Sequence, residues 1–131
     1  MAEHPNAVLI RRAYQAFAER DVATIVELTA EDAAWHIPGR NPIAGTYRGR
    51  DNILAFLARL MELTEGTISF EVHDVVANSE HAIAMHRGGG SRPDGRPNDD
   101  QICMVFHIRD GRVTEAWYHA FDQHAVDDFW A

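Results

Sequence analysis

The sequence predicts an α+β fold, with helices first and an antiparallel sheet after them, on three observations. Apolar residues recur at three- and four-residue spacing as far as Gly66, the period then shortens to strand-like alternation, and Asp110-Gly111 marks a tight hairpin between two alternating runs. The 131 residues fit one domain, 1–131, since compact domains most often run to about 100–150 residues.

Asn6 is a good N-cap for a first helix whose apolar face holds Ile10, Ala13, Tyr14 and Phe17. Asp21 opens a shorter helix through Val22, Ile25, Val26 and Leu28 that ends near Glu31-Asp32, and a short strand at 34–37 is stopped by Pro38-Gly39. The Pro, Gly and Asn content of 38–49 reads as a loop. Asp51 then caps a third helix that presents Ile53, Phe56, Leu57, Leu60 and Met61 and stops at Gly66. Four strands follow at 67–77, 81–87, 99–109 and 112–121, with Asn78-Ser79 and Asp110-Gly111 as two-residue turns and 88–100 as a longer, ragged arm. Met1 to Pro5 read as a frayed end, and Phe129 and Trp130 as aromatics that dock on the body or on a partner subunit.

A two-residue Asp110-Gly111 turn pairs Arg109 with Arg112, Phe106 with Glu115, Met104 with Trp117 and Ile102 with His119. One face then carries Ile102, Met104, Phe106, Ile108, Val113, Trp117 and His119, with Glu115 as its one acidic member. The other carries Cys103, Val105, His107, Thr114, Ala116 and Tyr118. Neither face is polar enough to stay wet, so helices are expected on the first and a second subunit on the other, giving a homodimer through the outer face of the sheet.

Composition excludes several classes of partner. The formal charge of -8 repels a phosphate backbone or an anionic lipid surface, so neither nucleic acid nor membrane is expected. Cys103 is the single cysteine and can form no internal disulfide. With no apolar leader and no membrane-length run, the chain reads as cytoplasmic. No glycine-rich loop opens a helix, no nucleophile elbow is present, and the eight histidines show no ligand spacing. No cofactor and no metal are therefore expected.

Several features together resemble the SnoaL-like branch of the nuclear transport factor 2 superfamily. They are the two leading helices, Glu31-Asp32 before a Trp-containing strand, the Pro38-Gly39…Gly45-Thr46-Tyr47-Arg48-Gly49 loop, the third helix, and the Asp110-Gly111-Arg112-Val113…Trp117…Phe121-Asp122 ending. The resemblance covers nearly the whole chain and implies a cystatin-like cone, in which three N-terminal helices pack on a curved antiparallel sheet around an apolar pocket. It is specific for fold and poor for function, since the same cone serves isomerases, cyclases, hydrolases and non-enzymatic binders.

Within that superfamily, ketosteroid isomerase uses an Asp base, a Tyr on the first helix and a protonated Asp on the penultimate strand. The matching positions here are Ile37, Ala13 and Met104, with Tyr14 one residue away from the tyrosine position. Limonene epoxide hydrolase uses an Arg between two Asp, with a Tyr and an Asn holding the water, and those positions correspond to His86, Gly88, His119, Trp35 and Ile37. The water-activating carboxylates are absent, so the resemblance carries over the location of the pocket and not the hydrolase activity.

His119 is the first acid/base candidate, placed beside Trp117 by the turn register and by the resemblance alike; a histidine there exchanges protons near neutral pH. His86 is the second. Ile83 and Met85 read as the apolar face with His86 opposite, whereas the resemblance turns Ala84, His86 and Gly88 toward the pocket, and the resemblance is followed. The Asn78-Ser79 register sets Glu71 across from His86, as a conceivable dyad or an exposed ion pair. Trp35, Ile37, Phe56, Leu60, Met104, Phe106 and Trp117 are expected as the wall of a site for a small, flat apolar molecule, with Tyr14 offering a hydroxyl. Tyr47 is expected to anchor its loop. These residues suggest a cofactor-independent isomerase, cyclase or lyase acting on a polyketide- or terpenoid-like molecule. The alternative is a cone that binds a small molecule or dimerises without catalysis.

Overall fold

In the computed structural model, which describes residues 3–131, the chain runs α1 (Pro5–Ala18), α2 (Val22–Leu28), β1 (Thr29–Ile37), β2 (Gly45–Arg48), α3 (Arg50–Leu63), β3 (Ser69–Ala77), β4 (His81–Gly89), β5 (Gln101–Arg109), β6 (Arg112–Ala120) and α4 (Gln123–Trp130). The strands form one sheet in the order β2-β1-β6-β5-β4-β3. Neighbours are antiparallel except β1 and β6, which run parallel. The sheet is therefore mixed, not wholly antiparallel as expected, because the long crossover between β1 and β6 allows a parallel pair. No helix among the described residues is long and apolar enough to cross a membrane.

The three expected helices are present, with ends set by local chemistry. However, α2 stops at Leu28 and β1 begins at Thr29, so Glu31-Asp32, expected at the helix end, lies in a strand longer than the 34–37 expected. α1 begins at Pro5, where a missing N–H is harmless, and His4 caps it instead of Asn6, its Nδ1 accepting from the Asn6 N–H at 3.0 Å. Met1 and Ala2, part of the expected frayed end, lie outside the described residues. Asp21 caps α2 by accepting from the Thr24 N–H at 3.1 Å. Gly49 precedes α3, and Asp51 lies in its first turn, where a carboxylate favours the helix dipole.

Two elements were not expected. β2 lies inside the loop read at 38–49 and is too short to show a period. α4 makes a fourth helix: Asp122 caps it through the Ala125 N–H at 3.1 Å, and Val126, Phe129 and Trp130 lie buried on one face at three- and four-residue spacing.

The Asp110-Gly111 turn forms as expected, with φ of 52° and 75°, and Arg109 pairs with Arg112. Beyond Val113 the register departs from the two-residue-turn ladder. Thr114 is an extra residue, so that Glu115 pairs with His107, Ala116 with Phe106, Tyr118 with Met104 and His119 with Cys103. In an unbulged ladder Glu115 would stand opposite Phe106 on the buried face, and a desolvated carboxylate is costly there. The bulge turns it outward, where its carboxylate meets His36 Nε2 at 2.5 Å.

The same one-residue step turns Ala116 and Tyr118 inward. It sends Trp117 and His119 out, correcting the expected face of both. A second irregularity, at His73, sets Val72 opposite His86 and Glu71 opposite Arg87, so the expected Glu71/His86 pairing does not form. The outer face carries Ile83, Met85, Cys103, Val105 and Trp117, all half-buried.

The bulge predicts opposite sensitivities at adjacent positions, read by urea unfolding. Ala116→Glu forces a carboxylate into the interior and should cost several kcal/mol, about 3 or more, whereas Glu115→Gln should cost less than about 1 kcal/mol. The reverse order would restore the unbulged register.

Candidate functional site

The inner face of the sheet, α1, α3 and α4 enclose a cavity of about 120 Å³, roughly ten times the space one water needs on the same measure. Of the expected site residues, Tyr14, Trp35, Ile37, Phe56, Leu60, His86, Met104 and Phe106 all line it. His119 and Trp117 do not. His119 is exposed on the outer face, and Trp117 lies there between His36, stacked at 5.5 Å, and the edge of His107 at 5.4 Å. The positions that correspond to the isomerase's catalytic groups, Ile37, Ala13 and Met104, line the cavity without bringing its chemistry. Tyr47 anchors its loop, its hydroxyl donating to the Ile43 carbonyl at 2.5 Å.

Polar groups in the cavity wall are few and come from four directions. Tyr14 reaches in from α1, and its Oη lies 2.7 Å from His86 Nδ1 on β4. His86 is 4% exposed, packs against the rings of Phe70 and Tyr14, and leaves Nε2 without a hydrogen-bond partner. Burial pushes this imidazole down from 6.5 to about 4, so it is neutral at physiological pH. Burial also pushes the Tyr14 phenol up, so it keeps its proton.

Asp100, Asn98 and Tyr118 also line the cavity, and sequence reasoning missed all three. Asp100 stands just before β5, half-buried, and desolvation together with the nearby charges of Asp99 and Asp122 raises its carboxyl to about 6. Tyr118 enters from β6 because of the bulge. Its phenol is pushed up by burial and by the charge of Asp100. Asn98 lies over Gly88, where a Cβ would come within 2.8 Å of the Asn98 amide nitrogen; only glycine allows that approach. The 88–100 arm that carries Asn98 is tied to the end of α4. Arg92 Nη1 donates to the Phe129 carbonyl at 2.9 Å and Arg96 Nη1 to the Asp128 carbonyl at 2.6 Å, cations where the helix dipole favours them.

One signal in the sequence pointed to Tyr118. Glu115 as the lone acid on an otherwise apolar face was the mark of a bulge, and the bulge exchanges Trp117 and His119 for Ala116 and Tyr118.

Comparison with known proteins agrees with this architecture. Residues 10–116 match the SnoaL-like domain family. An uncharacterised protein of Mycobacterium tuberculosis (strain ATCC 25618 / H37Rv) is 31% identical over 132 residues, covering 100% of both chains. Bal32a, from a soil-derived mobile gene cassette, superposes with a TM-score of 0.93 at 38% identity over 97% of each chain. IdmH of Streptomyces antibioticus, a proposed polyketide cyclase, superposes at 0.75 with 23% identity over 91% of this chain and 93% of its own, a likeness of fold. The fold is the cystatin-like one of nuclear transport factor 2-like proteins.

The two shifted groups pull stability in opposite directions. For His86 the unfolded chain takes up a proton near 6.5 and the folded one only near 4. The stability present above pH 6.5 is therefore lost as pH falls toward 4, on the order of 3 kcal/mol. For Asp100 the folded state holds its proton up to about 6, against 3.8 in the unfolded chain, so stability present below 3.8 is lost as pH rises through 6. Thermal unfolding should show His86→Phe flattening the acid-side decline, and Asp100→Asn raising Tm at pH 8 while leaving it unchanged at pH 3. Variants that keep the wild-type pH slope would contradict both assignments.

Proposed function

Because this chain belongs to the SnoaL-like family of the nuclear transport factor 2 superfamily, and a shared fold fixes no reaction, we propose its function from the cavity. It is a cofactor-independent acid/base enzyme of isomerase, cyclase or lyase type. It moves a proton between a carbon and the neighbouring carbonyl oxygen of a small apolar molecule. The observation that carries this reading is the 2.7 Å Tyr14–His86 contact in an apolar cavity wall, with the second imidazole nitrogen unpaired. IdmH, a fold neighbour proposed as a polyketide cyclase, supplies the substrate class, a polyketide-like carbonyl compound; terpenoid-like ketones fit the same walls.

The pair works as a relay between two tautomers. In the first, His86 Nδ1–H donates to Tyr14 Oη and Nε2 holds a free lone pair. Nε2 takes the proton from the carbon beside the carbonyl, Nδ1 passes its proton to Tyr14 Oη, and Tyr14 gives its hydroxyl proton to the carbonyl oxygen. The substrate is now an enol, His86 carries Nε2–H, and the Tyr14 hydroxyl donates to Nδ1. No group is left charged, which suits a site whose low polarity opposes an imidazolium. Returning the Nε2 proton to a different carbon while Tyr14 recovers the enol proton isomerises the substrate. Attack of the enol carbon on a second carbonyl closes a ring. The enol proton passes to Tyr14, whose hydroxyl proton goes to His86 Nδ1, and the Nε2 proton passes to the oxygen of the attacked carbonyl, which becomes the aldol hydroxyl. Tyr118, protonated and facing the same space, adds a hydrogen-bond donor for the oxygen that gains electron density.

A binding-only cone is the second reading, favoured by the apolar residues at the positions that match the isomerase's acids, Ile37 and Met104, and by Gly88 where the hydrolase places a carboxylate.

Deuterium uptake in D2O separates the two. Unsubstituted cyclic ketones, 1-tetralone, 2-tetralone and cyclohexenone, are incubated with protein, and exchange beside the carbonyl is followed by NMR. The wild type should accelerate exchange for at least one ketone, His86→Leu should lower that rate by about 100-fold or more, and Tyr14→Phe by about 10-fold or more. Binding without exchange, or equal exchange in His86→Leu, would contradict the acid/base reading.

A further inference from the structure

Four buried side-chain polar atoms among the described residues have no hydrogen-bond partner: Trp35 Nε1, His86 Nε2, Arg92 Nε and Asn98 Oδ1. Three of them belong to side chains that line the apolar cavity. An orphaned buried donor or acceptor is costly, and native interiors contain few. Their gathering around an open volume is the pattern of groups whose partners arrive with a ligand.

The atoms also state what those partners are. Indole Nε1 only donates, so whatever meets Trp35 is an acceptor oxygen. Asn98 is held by its own backbone, its N–H donating to the Gly90 carbonyl at 2.8 Å, and its amide nitrogen faces the Gly89 carbonyl at 3.4 Å. That contact directs Oδ1 as the free atom, which only accepts, so its partner is a hydroxyl or an N–H. Trp35 lies on β1 and Asn98 beside β4, with β6 and β5 between them, three strand spacings or roughly 14 Å along the sheet. The two orphans therefore address opposite ends of a ligand.

We propose that the cavity selects a small cyclic ketone that carries its carbonyl or another acceptor oxygen at the Trp35 end and a hydroxyl at the Asn98 end, with Asn98 and Trp35 as specificity-determining residues. The proposal rests on the acid/base reading for what happens to that ligand, and on the orphan atoms alone for what binds. Gly88 is part of the device. Its missing side chain lets the Asn98 amide lie against the strand, and the arm that bears Asn98 is pinned to α4 through Arg92 and Arg96.

Calorimetry with three matched probes tests it: 6-hydroxy-1-tetralone, which carries both groups, 1-tetralone, which lacks the hydroxyl, and 5,6,7,8-tetrahydro-2-naphthol, which lacks the carbonyl. The first should bind about 10-fold more tightly than either of the others, since a site built to hydrogen-bond a group discriminates against its absence. Asn98→Leu should bring 6-hydroxy-1-tetralone to within about 2-fold of 1-tetralone, and Trp35→Phe should erase the advantage over the naphthol by the same margin. Gly88→Ala, which pushes the Asn98 amide aside without removing it, should reproduce the Asn98→Leu loss if that variant folds poorly. Equal binding of the three probes to the wild type, as expected if ordered water alone satisfies the orphans, would overturn the proposal. So would a hydroxyl advantage that survives both Asn98→Leu and Gly88→Ala. Binding is read without turnover: tight, selective binding with no deuterium exchange counts against the acid/base reading alone, and exchange with an unselective series counts against this one alone.

Discussion

Exclusion of water from the inner face of the sheet is the constraint on which the rest depends, because it makes any charge placed there expensive. Glu115 shows it most directly. A regular β6 would carry its carboxylate into the interior, and the strand takes up an extra residue at Thr114 so that the acid meets His36 outside. The step then decides which of the following side chains see the cavity, bringing in Ala116 and Tyr118 and sending out Trp117 and His119.

The polar groups that do remain inside show the same constraint in their titrations, each shifted toward its neutral form. His86 stays neutral far below its ordinary range, Asp100 keeps its proton far above its own, and the phenols of Tyr14 and Tyr118 are held protonated. A carboxyl raised to about 6 and an imidazole lowered to about 4 in the wall of one cavity invert the usual order of the two groups. Groups whose titrations are moved in opposite directions in this way are suited to opposite roles in proton transfer. A relay through two imidazole tautomers fits such a site, since it moves a proton across the cavity without creating the cation that the walls oppose.

Much of the fold was legible because long amphipathic segments and one strong turn were enough to define it. Ile10, Tyr14 and Phe17 on α1, Phe56 and Leu60 on α3, and Met104 and Phe106 on β5 follow from periodicity alone. The inward turn of His86 did not. Its alternation with Ile83 and Met85 left the face undecided, and family resemblance was needed to choose it. The faces of β6 failed for a physical reason, since a period of two carries no record of an inserted residue, and only the misplaced acid at Glu115 betrayed it. Asn98 and Asp100 sat in or beside an arm of Gly, Pro and Asp with no period to read, and their place in the cavity depends on long-range contacts with Gly88 and α4. Short β2 lacked the length for a pattern, and α4 carries a single apolar set, Val126, Phe129 and Trp130, of which only the aromatic pair pointed to the docking that α4 achieves.

The most direct test of this account is a histidine-resolved NMR titration that follows the His86 ring nitrogens from pH 8 to pH 3. A dry cavity requires a neutral ring, hydrogen-bonded at Nδ1, that gains its second proton only near pH 4. A ring that protonates near 6.5, as a solvated histidine does, would contradict the dry cavity and with it the neutral relay.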